Sequence, residues 1–184
     1  MGQRILFTIG HSNRTWAEFV DLLREWGIEQ LVDVRTVPRS RAVPWFWDKR
    51  MALALPKAGI AYVHMPALGG LRRAKKDSAN TGWRNASFRG YADYMQMAEF
   101  KAEIDWLMEQ VARRSVVAMC AEAVPWRCHR SLIADAVLAR GAAVDDIFVT
   151  PEGSSTRKPH ALTSFAQTEG GRVWYPAGSG DLFG

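Results

Sequence analysis

One segment of the chain carries the residue types best suited to chemistry. Cys120-Ala-Glu122 is followed by Cys128-His129-Arg130-Ser131, and the sequence holds no other cysteine. A thiol beside His and Arg at the start of a helix has its thiolate favoured, which a nucleophilic cysteine requires. For Cys128 we leave two interpretations open, a nucleophile and an ordinary loop thiol. Cys120 follows three apolar residues, so we expect it to be a small buried side chain.

Two other side chains are candidates for acid–base chemistry. Glu122 can act as a general base if it lies within hydrogen-bond reach of a substrate. His11, in Gly10-His11-Ser12, can be a general base or a hydrogen-bond donor to an anion. The alternatives are structural, with Glu122 in a salt bridge and His11 bracing its loop. The predicted catalytic set is Glu122, His11, Cys128 and His129.

Arginines predict how a substrate would be held, because the guanidinium fork matches phosphate and carboxylate groups. Asp33 precedes Arg35 in a buried run, and burying a carboxylate is costly unless it is paired. A structural pair of these two residues is therefore at least as well supported as a role in binding. The predicted substrate-binding set is Ser12, Asp33, Arg35, Arg41, Arg130 and Ser131.

No cofactor is implied by the sequence. It contains no glycine-rich dinucleotide fingerprint and no phosphate loop with its lysine. A metal site from Cys120, Cys128, His129 and His11 matches no standard zinc spacing, and adjacent Cys128-His129 would have difficulty presenting both side chains to one ion. We therefore predict no metal site and leave the cofactor unknown.

The elements that must position these residues alternate along the chain. Hydrophobic periodicity and turn residues predict strands at 4–9, 31–34, 61–65, 116–119 and 146–149, and helices at 15–26, 48–55, 91–113 and 130–140. Such alternation predicts a single α/β domain with three layers and a mostly parallel, Rossmann-like sheet. Ligands of such sheets bind beyond the carboxyl ends of the strands, where the candidate residues lie. We also predict a long basic loop at 66–87, a short helix after Pro159 and a loosely structured tail at 166–184.

Composition limits the class of protein and of partner. A chain of 184 residues, 48% of them hydrophobic, can bury one core without disulfides or metal. No apolar run approaches the length of a membrane span, and two cysteines suit a reducing compartment. We therefore expect a cytoplasmic protein without membrane contact. The net charge of +5 favours anionic partners, either a small molecule or nucleic acid.

Several motifs together resemble the family of domain of unknown function 488. They are Gly10-His11-Ser12, Asp33-Val34-Arg35 with Pro38-Arg39-Ser40, Leu68-Gly69-Gly70, Phe88-Arg89-Gly90-Tyr91, and the two cysteine motifs, with His160 as the late histidine. The resemblance runs from about residue 5 to 165 and implies a cytoplasmic α/β protein, without assigning an activity. A weaker similarity to rhodanese-like domains rests on Asp-Val-Arg and a cysteine loop leading into Arg-Ser, although the loop from Cys120 to Arg130 is longer here.

Three hypotheses for function follow. The first is an enzyme acting on an anionic substrate derived from a nucleotide or nucleic acid, held by Arg35, Arg41 and Arg130. The second is a nucleic-acid-binding module that uses the basic cluster at 72–76 and the tryptophans of the loops, Trp45, Trp47, Trp83 and Trp126. The third is cysteine chemistry, either sulfur transfer or redox, at Cys128 or Cys120.

Overall fold

The computed structural model describes residues 5–150 and 152–178. Six strands form the main sheet: β1 (Ile5–Gly10), β2 (Gln30–Asp33), β3 (Ala61–His64), β4 (Val116–Cys120), β5 (Ala143–Val149) and β6 (Ser155–Pro159). The helices are α1 (Trp16–Glu25), α2 (Asp48–Ala54), α3 (Ala86–Tyr94), α4 (Ala98–Arg113) and α5 (Arg130–Ala139). A hairpin of β7 (Gln167–Glu169) and β8 (Arg172–Trp174) follows.

The strands are ordered β3-β2-β4-β1-β5-β6. The first five are parallel, and β6 runs antiparallel along β5. The connection from β1 to β2 passes β4 in one direction, and that from β4 to β5 passes β1 in the other. The loops that follow β1 and β4 therefore start side by side, as they do at the ligand crevice of open α/β sheets.

Alternate residues of each strand face two different cores, as the twofold period of a strand requires. On β4, Val117 and Met119 pack towards α1 and α2, whereas Ala118 and Cys120 pack towards α3, α4 and α5. Helices therefore cover both faces of the parallel sheet, and the predicted three-layer α/β class is confirmed.

The region predicted as one helix at 91–113 is two helices, and this prediction was wrong. Met97 is extended between α3 and α4. The side chain of Gln96 donates to the carbonyl oxygen of Val173 at 2.9 Å, so a contact with β8 fixes the break. The apolar residues keep a helical spacing through the break, so this spacing could not predict the contact with Val173.

The predicted helix after Pro159 is also absent from the described residues. Residues 160–166 form no helix, and the strands on either side of them belong to β6 and the hairpin. Tyr175, just after β8, is fully buried and anchors this part of the predicted tail. The end of that tail, residues 179–184, and Arg4 of the first predicted strand lie outside the described residues.

Asp93 organises the predicted basic loop at 66–87. Its carboxylate accepts from the amide of Lys75 at 2.8 Å, from Asn80 Nδ2 at 2.8 Å and from the Ser78 hydroxyl. Burial would raise the pKa of Asp93, but these hydrogen bonds outweigh it and lower the pKa. Asp93 belongs to α3. A single residue of this helix therefore holds the loop in place by hydrogen bonds.

A buried ionic cluster joins the end of the sheet to α5. His160 Nδ1 lies 2.6 Å from Asp146 of β5, and its Nε2 lies 3.2 Å from Asp135 of α5. Asp135 also accepts from the hydroxyls of Thr163 and Tyr175. The late histidine of the sequence motif is therefore part of the packing between β5, β6 and α5.

Across the part of the chain that is described, no helix has the length and apolar character needed to cross a membrane.

Candidate functional site

The loops after β1 and β4 continue side by side beyond the sheet. Gly10 is paired with Cys120 in the parallel register. The amide of His11 then donates to the carbonyl of Cys120 at 2.9 Å, and the amide of Ser12 donates to Ala121 at 3.0 Å. A Cβ atom at Gly10 would overlap the carbonyl oxygen of Glu122. Glycine is therefore needed at this position so that the loop after β4 can fold across the end of β1.

The two cysteines meet where this loop returns to the sheet. The Sγ atom of Cys128 lies 2.8 Å from the Sγ atom of Cys120 and donates a hydrogen bond to it. Both side chains are buried, with exposures of 6% for Cys128 and 2% for Cys120. The structure thus places together two thiols that are eight positions apart in the sequence, one at the end of β4 and one just before α5.

Arg130, the first residue of α5, lies behind the pair. Its side chain is completely buried, and its Nη1 donates to Cys120 Sγ at 2.8 Å and to the carbonyl of Glu122 at 3.1 Å. The amide of Arg130 also lies 3.5 Å from Cys128 Sγ. One residue at the helix N-terminus therefore provides donors to both sulfurs.

These contacts shift the pKa values of the two thiols in opposite directions. Burial would raise the pKa of Cys120, but the hydrogen bond from Cys128 and the charge of Arg130 outweigh it, so the pKa is lowered. The hydrogen bond to Cys120, together with burial, raises the pKa of Cys128. A charge-assisted hydrogen bond from Cys128 to a Cys120 thiolate is consistent with both directions.

His129 borders the pair in its neutral form. Its Nε2 lies 2.9 Å from the carbonyl oxygen of Val34, and a carbonyl only accepts, so Nε2 carries the proton. Nδ1 is then an acceptor, 3.5 Å from Cys128 Sγ. Burial lowers the pKa of His129 to about 4. The close approach of Gly70 holds the ring, since a Cβ atom there would lie 2.5 Å from Nδ1.

A second polar group forms at the end of β2. Arg35 is bidentate to Asp33, with Nε and Nη2 at 2.8 and 2.6 Å from its two oxygens. Arg35 also donates to the carbonyl of Phe46 and lies 3.0 Å from His11 Nε2. The Tyr62 hydroxyl donates to Asp33 at 2.9 Å. This is the structural Asp33–Arg35 pair that the sequence offered as one alternative.

His11 is enclosed by this second group. Its Nδ1 lies 2.7 Å from the carbonyl of Ser12, its Nε2 faces Arg35, and its ring stacks on Phe46 with centroids 4.2 Å apart. Burial, reinforced by Arg35, lowers the pKa of His11 to about 4. Both ring nitrogens are therefore engaged with protein groups. This is the arrangement of the loop-bracing histidine that the sequence left open beside an acid–base role.

A cavity of about 380 Å³ opens onto the sulfurs, and we call it the cysteine cavity. Its lining includes Cys120, Cys128, His129 and the exposed residue Glu122. Glu122 makes no ion pair with Arg35 or Arg130 among the described residues. Val37, Gly70, Leu71 and Phe88 form an apolar or small part of the wall, and Arg35 and Arg127 also line it.

Other residues of the predicted sets lie away from the sulfurs. Arg41 is exposed and is not part of the lining of the cysteine cavity. Ser12 has a positive φ of 52° and lines a separate cavity of about 990 Å³ beside the start of α1. Ser131 is buried and donates to the carbonyl of Cys128 at 3.0 Å, so it shapes the turn into α5.

The tryptophans and the basic cluster separate into packed and exposed members. Trp45 and Trp47 donate their indole N–H groups to backbone carbonyls, and Trp83 packs on Phe88, Phe165 and Tyr175. Trp126 is 64% exposed. Arg72 lies over the ring of Tyr94 and donates to the carbonyl of Ala67. Arg73, Lys75 and Lys76 are exposed.

Sequence reasoning favoured a packing role for Cys120 and kept thiol chemistry there as the alternative. Its burial was expected, and this expectation agrees with its exposure of 2%. Nothing in the sequence pattern indicated that Arg130, ten positions further on, is its hydrogen-bond partner. Gly70 was missed as a site residue, and its presence in a Gly-Gly pair was the available signal.

Among residues 5–150 and 152–178, no group of three or more His, Cys, Asp or Glu side chains is arranged to hold a metal ion.

Comparison with known proteins gives one assignment. Neither the curated proteins nor the solved structures contain a match to this chain. The family model described as domain of unknown function DUF488 matches residues 15–137. This stretch includes both cysteines, Arg130 and Gly70, while His11 and His160 lie outside it. Because the model covers more than half of the chain, the protein belongs to the DUF488 family.

Proposed function

We propose that this protein is a thiol–disulfide exchange enzyme that uses Cys120 and Cys128. The observation that carries the proposal is the 2.8 Å contact between the two sulfurs, with the Arg130 guanidinium 2.8 Å from Cys120. Two thiols in contact can form a disulfide without a large movement of the backbone. A cationic neighbour that stabilises one thiolate supplies the activated sulfur that exchange requires.

The chemistry divides between the two sulfurs. Cys128 is the more exposed cysteine and lines the cysteine cavity, so it forms the mixed disulfide with the substrate. Cys120, as the thiolate, attacks Cys128 Sγ to form the internal disulfide and release the substrate thiolate. In the opposite direction a substrate thiolate attacks Cys128 Sγ and Cys120 leaves. A sulfur with a lowered pKa is the better leaving group of the two.

The neighbouring residues have supporting roles. Arg130 stabilises negative charge on Cys120 through its Nη1 donor. His129 presents an unprotonated Nδ1 at 3.5 Å from Cys128 Sγ, a second acceptor for the one thiol proton that Cys128 donates to Cys120 in this structure. Glu122 fixes Arg130 through its backbone carbonyl and leaves its carboxylate at the cavity.

An anionic substrate held by arginines has less support. Arg35 is engaged with Asp33, His11 and Phe46, and Arg130 is completely buried behind the cysteines. Arg41 lies outside the cavity lining. Nucleic-acid binding stays a prediction, and its test belongs with the exposed residues Arg73, Lys75 and Lys76. Arg72 is unsuitable for that test because it packs on Tyr94.

Peptide mapping after mild oxidation tests the proposal. We expect a bond between Cys120 and Cys128 in the oxidised protein, its reversal by dithiothreitol, and transfer of the disulfide to a model dithiol peptide. Cys120→Ser and Cys128→Ser should each abolish transfer. If both thiols stay free under oxidant that cross-links exposed thiols, or if transfer persists in both variants, the proposal is wrong.

A further inference from the structure

Arg130 is a buried cation with an unusual set of partners. Its side chain has no exposed surface, and no carboxylate pairs with it among the described residues. Nη1 contacts Cys120 Sγ and the carbonyl of Glu122, while Nε and Nη2 have no hydrogen-bond partner in that part of the chain. Asp33, the buried carboxylate at the neighbouring strand end, is already bound bidentately to Arg35.

The charge of Arg130 is therefore balanced only when Cys120 is a thiolate. A guanidinium does not lose its proton in a protein. In a disulfide neither sulfur carries a charge, so forming the Cys120–Cys128 bond would leave the guanidinium buried and uncompensated. Removing one partner of a buried ion pair is strongly unfavourable, because the remaining charge stays out of water.

We infer that the Cys120–Cys128 pair works as an oxidant and that its substrates are dithiols. This inference rests on the function proposed above and adds its direction. Interactions present only in the reduced form make the disulfide readily reduced. Here that interaction is the ion pair of Arg130 with a Cys120 thiolate, for which the structure shows a contact of 2.8 Å and for which a disulfide sulfur has no charge.

Oxidation of the substrate takes two successive thiolate attacks. A substrate thiolate attacks Cys128 Sγ, the Cys120–Cys128 bond breaks, and Cys120 leaves as the thiolate facing Arg130. The second substrate thiolate attacks the substrate sulfur of the mixed disulfide, and Cys128 leaves and takes up a proton. Two electrons pass from the substrate dithiol to the cysteine pair, and the substrate gains a disulfide. Of the two substrate protons, one ends on Cys128 and the other goes to solvent.

The position of each sulfur agrees with this direction. Cys128 is the more exposed sulfur, so it is the one that a substrate thiolate reaches through the cysteine cavity. In the opposite direction Cys128 would have to attack a substrate disulfide as a thiolate. Its hydrogen bond to Cys120 keeps it protonated, which slows that attack.

Equilibration in glutathione buffers, with mass-spectrometric counting of free thiols, tests the inference. Arg130→Met removes the charge at similar length, and Arg113→Met is the control because Arg113 is exposed at the end of α4 and does not line the cysteine cavity. We expect the ratio of disulfide to dithiol at a fixed buffer to rise at least tenfold in Arg130→Met, which is about 1.4 kcal/mol or more, because the variant no longer leaves a buried charge uncompensated in the oxidised form. The control should shift little. If Arg130→Met is folded and its ratio of disulfide to dithiol is unchanged, the inference is wrong.

A second measurement needs no substitution. Urea unfolding of the wild-type protein, oxidised and reduced, should show a higher midpoint for the reduced form. A disulfide ordinarily restrains the unfolded chain and raises stability, so this order is the reverse of the usual one. A higher midpoint for the oxidised form would refute the inference while leaving disulfide exchange intact. If no Cys120–Cys128 bond can be formed, the proposed function itself fails.

Discussion

The Nη1 atom of Arg130 and the Sγ atom of Cys120 lie 2.8 Å apart, with the Arg130 side chain fully buried and Cys120 only 2% exposed. They are ten positions apart in the sequence, and the loop that joins them folds over Gly10 to make the contact. The pairing couples the charge of a helix N-terminal arginine to the protonation of a strand-terminal thiol. The consequences can be measured separately from any activity.

Alkylation should distinguish the two thiols. Because the pKa of Cys120 is lowered and that of Cys128 is raised, Cys120 should react with a small alkylating agent at lower pH than Cys128. Its rate should reach half of the maximum below the ordinary thiol value of about 8.5. Mass spectrometry of the labelled peptides across pH measures this order, with unfolded protein as the reference. Equal profiles for the two thiols would contradict it.

Gly70→Ala should disturb the cavity wall. A Cβ atom there would lie 2.5 Å from His129 Nδ1 and 2.9 Å from its Cγ, so the ring must move. We expect a loss of about 1–3 kcal/mol in the free energy of unfolding, the usual cost of overpacking. Gly178→Ala is the control because no heavy atom lies within 4 Å of its added Cβ. Equal stability of the two variants in urea would disprove this role for Gly70.

The buried histidine cluster should make stability depend on pH. Burial would lower the pKa of His160, but Asp135 and Asp146 outweigh it and raise the pKa to about 9. Since this lies above the ordinary value of 6.5, the stabilisation is complete below pH 6.5 and is lost as pH rises through 9. His160→Gln should reduce stability by an amount on the order of 3 kcal/mol at pH 6 and by much less at pH 9.5. A difference from wild type that stays constant across this range would rule the mechanism out.

Asp93 should control the order of the basic loop at 66–87. Asp93→Ala removes the acceptor of three hydrogen bonds from Lys75, Ser78 and Asn80. We expect trypsin to cleave after Arg73, Lys75 and Lys76 several times faster in this variant, because local opening becomes easier. Asp77→Ala, at an exposed position in the same loop, is the control. No change in the cleavage rate would show that other contacts hold the loop.

The local sequence pattern predicted most of the helices and strands. It did not predict where a helix breaks or fails to form. Helix α1 begins after Thr15, next to the predicted start at 15, and the structure shows a capping box of Thr15 with Glu18 there. The break between α3 and α4 was missed because it depends on Gln96 binding the carbonyl of Val173. The predicted helix after Pro159 is absent where His160 and Thr163 bind Asp135 of α5. In both cases a partner distant in sequence overrides the local preference of the chain.

By itself the sequence determined which residues stand at the strand ends and at the start of α5. It did so because strand and helix periods, together with glycine positions, are local properties of the chain. Only the tertiary structure decided that Cys120 faces Cys128 and that Arg130 lies behind them. That arrangement requires β1 to lie beside β4 and the intervening loop to cross Gly10. Strand order and loop path are set by the packing of the whole core, so no segment of sequence contains them alone.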